Sequence, residues 1–239
     1  MAKKRKTRKT ISLLEAIRRL DMFAQELDKE VLRGLQIRAT LEAANDIILR
    51  TGNVNVYGAA SYNTIRAALV VDLALTLSRA LDEGSRRFPR NSRQVASIPM
   101  LVHLMAQKRV RNFLVERMRS ETKIAMMVAS NARSVEKHVA SAVQTYRAHR
   151  RQWSGRDSQR LLRELRDTRL AHRLFDRPSS GLPSYTQVFA LLDVCAAIME
   201  HARFAVLGEA IEYRDFATED RREADEFWRR ALKAAMRGP

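Results

Sequence analysis

His172 stands in the stretch Leu161-Leu162-Arg163-Glu164-Leu165-Arg166-Asp167-Thr168-Arg169-Leu170-Ala171-His172-Arg173, where an imidazole lies among guanidinium groups. Placed on a helix at about 100° per residue, Leu161, Leu165, Thr168, His172 and Phe175 share one stripe, with Leu162 and Arg169 on its flank. His172 then points towards a packing surface, close to Arg166, Arg169 and Arg173, which stay cationic at any ordinary pH. Phosphate chemistry uses this combination, because a histidine moves protons near neutral pH and a guanidinium grips phosphate through two parallel hydrogen bonds. The competing reading is structural: a histidine on an apolar stripe is commonly a hydrogen-bonded core residue, and an arginine-rich face is commonly only solvated.

The run from Arg166 to His172 resembles the signature of the HEPN superfamily, in which an Arg, a polar residue, a short spacer and a His lie near the end of a helix. Upstream, Asp72-Leu73-Ala74-Leu75-Thr76-Leu77-Ser78-Arg79-Ala80-Leu81-Asp82 and Ser97-Ile98-Pro99-Met100-Leu101 resemble the HEPN group of the U-type abortive-infection proteins. The resemblance runs from about Ile11 to Phe175. It implies a HEPN-like helical core and a metal-independent endoribonuclease that uses no cofactor, with Arg and His converging from two subunits. On that implication Arg166 and His172 are catalytic, Asp167 orients one of them, and Arg169 is a second candidate arginine.

His172 would take the proton of a ribose 2′-hydroxyl or give one to the leaving oxygen, and Arg166 would neutralise charge on the scissile phosphate. The expected products are a 2′,3′-cyclic phosphate and a 5′-hydroxyl. On one helix Arg166 and His172 lie about 120° apart, so a single copy does not easily bring both to one phosphate. A two-fold axis near His172 would, and a homodimer is expected. The resemblance also implies a role in phage defence or a toxin–antitoxin pair, with an antitoxin or a nucleotidyltransferase as a further partner. Two other readings stand: an RNA- or DNA-binding helical module in which His172 is structural, and a scaffold that docks an acidic protein.

The chain has 239 residues and a net charge of +17, which implies a polyanionic partner, nucleic acid before an anionic membrane surface. No stretch long enough to span a bilayer is free of charge, since Asp72 and Arg79 interrupt the most apolar one, and a soluble, cytoplasmic protein is expected. Lys3, Lys4, Arg5 and Lys6 sit in a basic arm over residues 1–10 with no apolar core behind it, and this arm would add non-specific phosphate affinity. One cysteine, Cys195, excludes an intramolecular disulfide. His201 has no second histidine at ligand spacing, so no metal site is read.

Gly and Pro are sparse, at 8 and 5, and strand alternation is nearly absent, so the chain reads as all-α with roughly six to seven helices. A single domain is expected over 11–239, with a HEPN-like core at 11–177 and C-terminal helices at 184–237 packed on it. Helical spacing starts at Ile11 and runs to about Arg50, with Gly34 a candidate kink or break. Residues 51–58 read as a connector. From Tyr62 to Leu81 the pattern is apolar nearly all round, which predicts a central helix with Asp72 as a buried carboxylate. Asp72 either orients a site arginine or pairs with Arg79 or a neighbouring helix.

Ser97 with Pro99 predicts a helix start and one helix through Met118. Another is predicted from Thr122 to Arg150 with Met126 and Met127 inward. Trp153 among arginines either stacks a base or plugs a helix junction, and Arg156, Arg160, Arg163 and Arg173 are further RNA-binding candidates. Ser184 and Gln187 read as a capping box, and a last helix is predicted from Thr218.

Overall fold

The computed structural model describes residues 11–51, 59–84, 95–165 and 184–236. Among them are eight helices and no strand: α1 Leu13–Thr51, α2 Ala59–Ala80, α3 Ile98–Met105, α4 Lys108–Glu121, α5 Ala125–Arg151, α6 Trp153–Leu165, α7 Tyr185–Leu207 and α8 Tyr213–Met236. The all-helical class holds, and the count exceeds six to seven. One reason is that the helix expected from Ser97 to Met118 is two. Gln107 adopts an extended conformation (φ −74°, ψ 126°) and caps α4, ending the first helix at Met105. Ser97 starts α3 through its carbonyl oxygen, which accepts from Met100 and Leu101, while its buried hydroxyl makes no cap hydrogen bond. No helix among the described residues is long and apolar enough to cross a membrane.

The helices form two compact units. The first comprises residues 1–28, 79–148 and 197–210, and the second residues 29–78, 149–196 and 211–239. Apolar residues at helical spacing build the first: Leu20, Phe23 and Leu27 of α1, Leu101, Leu104 and Met105 of α3, and Val135 and Val139 of α5 are buried. Three arginines satisfy groups around this core. Arg203 of α7 donates to Asp28 and, at 2.6 Å, to Glu209. Arg117 of α4 donates to Asp21 at 3.1 Å and to the carbonyl of Val206. Arg109 donates to the carbonyl of Ile11 at 2.7 Å.

In the second unit α1 runs on without the break expected at Gly34. A Cβ there would stand 2.7 Å from Leu192 Cδ1, so the glycine permits close packing of α7 and not a turn. A smaller cluster joins Ala43 and Ala44 of α1 to Trp228 of α8, with Tyr62 of α2 edge-on to the indole at 5.8 Å. The Tyr62 hydroxyl donates to Asn45 Oδ1 at 2.6 Å. An ion-pair chain runs alongside: Asp193 to Arg38, Arg38 to Glu42, and Arg221 to Glu42, Asp46 and Asp225. Ser184 and Gln187 form the expected reciprocal cap of α7, at 2.8 and 3.2 Å.

Three expectations are corrected. Only the second half of α2 is buried, at Leu73, Ala74, Leu77 and Ala80, while Ile65 and Val71 are 43% and 40% exposed. Hydrophobicity all round the helix sets how much could be covered, and packing partners occur only where α2 meets its neighbours. Met126 and Met127 are exposed, because α5 starts at Ala125 and its first turn precedes the packed stretch that begins at Ala132. The last helix starts at Tyr213, whose ring is buried, with Asp215 in the first turn.

Candidate functional site

The arginine and histidine of the motif follow α6 directly, so the described part of the site is the helix that leads into it. α6 is strongly amphipathic. Leu161 and Leu162 are buried with Ser158 and Gln159, while Arg160 and Arg163 face solvent. Its start is locked to the end of α5. Gly155 lies so close to His149 that a Cβ would come within 2.7 Å of the His149 carbonyl oxygen and 2.8 Å of Nδ1. A side chain there would force backbone to move.

His149 itself is buried, and its Nε2 lies 3.1 Å from Gln159 Nε2. The Gln159 side-chain Oε1 accepts from Arg150 Nη1 at 3.2 Å, which leaves Nε2 to donate to His149. His149 Nε2 is therefore the acceptor and its proton sits on Nδ1. Burial, and then the neighbouring Arg150 charge, hold the His149 pKa below the usual histidine value and keep the ring neutral. A neutral imidazole with one tautomer fixed by an amide is a bracket between two helices. Sequence reading passed over it because His149 falls in the run Arg147-Ala148-His149-Arg150-Arg151, which looks like solvated surface.

The other predicted residues fall as follows. Arg160 bridges Asp157 at 2.7 Å and Glu164 at 2.8 Å on its own helix, so its charge is locally compensated. Arg163 is exposed and makes no ion pair among the described residues. Trp153 and Arg156 lie on the first turn of α6. Asp72 is half-buried and accepts from Arg33 of α1 at 2.7 Å, so it pairs with a neighbouring helix and not with Arg79. Arg166, Asp167, Arg169, His172 and Arg173 lie outside the described residues, as do Lys3, Lys4, Arg5 and Lys6.

A second histidine site emerges in the first unit. His201 of α7 has Nδ1 3.2 Å from Nδ1 of His138 on α5, and the His138 ring stacks on Phe204 at 4.3 Å. Burial, the second imidazole and Lys137 lower the His138 pKa in that order. The two residues are 63 positions apart, beyond any local spacing rule. No group of three or more His, Cys, Asp or Glu able to hold a metal occurs among the described residues. Cys195 is fully buried, and its thiol is pushed up to about 12 by burial and the nearby Asp193 carboxylate, which removes it as a nucleophile.

No curated protein and no solved structure matches the chain. A family model does, and its match runs over residues 17–227, from the second turn of α1 into α8, with the α6 lock and the Arg166–His172 run inside it. The chain belongs to the HEPN_AbiU2 (AbiU2) family.

Proposed function

We propose that the protein is a HEPN-type endoribonuclease acting in abortive infection, with Arg166 and His172 as its catalytic pair. The observation that carries this reading is the family match over residues 17–227, a span that includes the Arg-Asp-Thr-Arg-Leu-Ala-His run. The match reaches into α8, which supports counting residues 184–237 with the same domain as the core. Arg163 and Arg173 flank the pair and would meet the RNA backbone.

The chemistry needs no group beyond the chain and its substrate. His172 takes the proton from a ribose 2′-hydroxyl as that oxygen attacks phosphorus. The bond from phosphorus to the 5′-oxygen breaks, the 5′-oxygen leaves with a proton, and a 2′,3′-cyclic phosphate remains. Arg166 holds the charge that builds on the non-bridging oxygens, and Asp167 orients one of the pair. A two-fold axis close to His172 supplies both groups to one phosphate, so the working form is a homodimer. The buried, neutral His149 acts on this site only by fixing where α6 starts.

The test is incubation of the purified protein with mixed cellular RNA in EDTA, beside His172→Ala and Arg166→Ala, each checked for folding and dimerisation. Cleavage that survives the chelator and falls at least about a hundredfold in both variants supports the reading. An intact wild type that cuts nothing while all three proteins bind RNA equally moves the non-catalytic RNA-binding module ahead.

A further inference from the structure

α5 shows one uninterrupted face to solvent within the first unit. At about 100° per residue, Met126, Arg133, Lys137, Ala140, Gln144 and Arg147 fall within about 40° of one line. All six are exposed, while Ala132, Val135, Val139 and Ala142 on the other side are buried. Among the described residues the cations on this face are uncompensated. Arg133 Nε donates to the Ala129 carbonyl at 3.3 Å, and its terminal nitrogens make no hydrogen bond or ion pair among the described residues. Lys137 and Arg147 make no ion pair or hydrogen bond among the described residues. Glu136 at the margin is the nearby carboxylate on α5, and it forms no ion pair with Arg133 at the i,i+3 spacing.

Unpaired cations on a rigid rod repel one another, and a protein with a net charge of +17 gains nothing in the fold from holding them there. Arg133 and Arg147 are separated by 14 residues, about 21 Å along the helix, with only Ala140 and the amide of Gln144 rising between the cations. A partner therefore needs anions repeated along a strand and close access to a low helix surface. A nucleic-acid backbone has both, a guanidinium matches its phosphates, and the Gln144 amide can serve a 2′-hydroxyl or a base edge.

We propose that the α5 face bearing Arg133, Lys137, Gln144 and Arg147 is an RNA-docking surface that grips the phosphate backbone of one strand. It deepens the ribonuclease reading by stating where the substrate strand is held, and it rests on RNA being that substrate. The surface acts separately from the cleaving pair and supplies affinity without sequence preference.

The experiment measures anisotropy of a labelled, unstructured RNA oligonucleotide over a salt series, with full-length protein carrying His172→Ala so that the probe survives. On that background, Arg133→Gln, Lys137→Gln and Arg147→Gln together should weaken binding at least tenfold. They should also make the log–log salt slope shallower by about 2, three phosphates at about 0.7 each. A control with equal charge loss at exposed arginines that carry ion pairs, Arg119→Gln, Arg222→Gln and Arg230→Gln, should change affinity less than about threefold.

Ala140→Lys should tighten binding and Ala140→Glu should weaken it, in a helix whose stability neither change lowers much. Equal losses in both triple variants, an unchanged slope in the α5 triple, or displacement of RNA by polyglutamate at matched charge concentration overturns the proposal. A wild-type chain that fails to cut RNA while the α5 triple still loses its salt slope removes the nuclease and leaves the docking surface. Cleavage with normal binding by the α5 triple does the reverse.

Discussion

α5 and α8 are both surface helices dense in basic residues, yet the cations of the exposed α5 face and three of the α8 arginines are held differently. On α8, Arg221 bridges Asp46, Glu42 at 3.5 Å and Asp225 at 3.2 Å, Arg222 pairs with Glu219 at 2.8 Å, and Arg230 pairs with Glu226 at 2.7 Å. The carboxylates sit three or four residues away or on α1, so those guanidinium groups are part of the fold. On the exposed face of α5, Lys137 and Arg147 have no such partner among the described residues. A count of arginines says little about function. The carboxylates within reach of each one separate structural charge from charge left available to a polyanion.

The largest effect should come where α5 stops being surface and enters the core. Gly155→Ala replaces a helical glycine, a change that normally stabilises by about 0.5–1 kcal/mol. Here the Cβ would meet the His149 backbone at 2.7 Å, so chemical denaturation should instead show a loss of about 2–3 kcal/mol. A gain in stability would refute the lock between α5 and α6.

Next in size is the charge contrast itself. Arg221→Met leaves Glu42, Asp46 and Asp225 without their shared cation and should cost about 1–2 kcal/mol, a figure held down by the solvent access of all four groups. Arg147→Met on α5 should stay within about 0.5 kcal/mol of wild type. Equal losses in the two variants, read from the same denaturation curves, would erase the distinction between the helices.

Acid should weaken the fold gradually. His149 and His138 both have pKa values lowered from 6.5 by burial, so below 6.5 the unfolded chain binds protons that the folded chain refuses. Their contribution is therefore complete above that pH and is lost as pH falls from 6.5 towards the folded-state values. His149→Gln, which removes one of these titrations, should flatten the dependence of unfolding free energy on pH. A dependence as steep as wild type would mean that His149 binds its proton equally well in the folded and unfolded chain.

The smallest effect concerns α6. Arg163→Gln should weaken RNA binding roughly threefold, one phosphate contact's worth, and Arg160→Gln should do less because Asp157 and Glu164 already balance its charge. The reverse order in a binding titration would show that RNA displaces those carboxylates.

Much of this was readable before any coordinates. Helical class and the α7 capping box followed from spacing and residue type, which act over a few residues. The family was readable for the same reason. The break at Gln107 was not, because Ala106 and Gln107 carry neither Gly nor Pro and interrupt α3 and α4 only through backbone conformation. Gly34 misled in the opposite sense: as a local signal it says flexibility, whereas its neighbour Leu192 makes it a point of close packing.

Local order, net charge and the identity of the chemistry-bearing residues are properties of the linear chain, because propensity, periodicity and charge are carried by each residue and its near neighbours. Partnership is not. Arg33 beside Asp72, His138 against His201, Arg221 among three carboxylates and the bare cations of α5 arise from contacts between residues far apart in sequence, or from the lack of them. Those contacts depend on which helix faces cover one another, and residue type alone does not specify that.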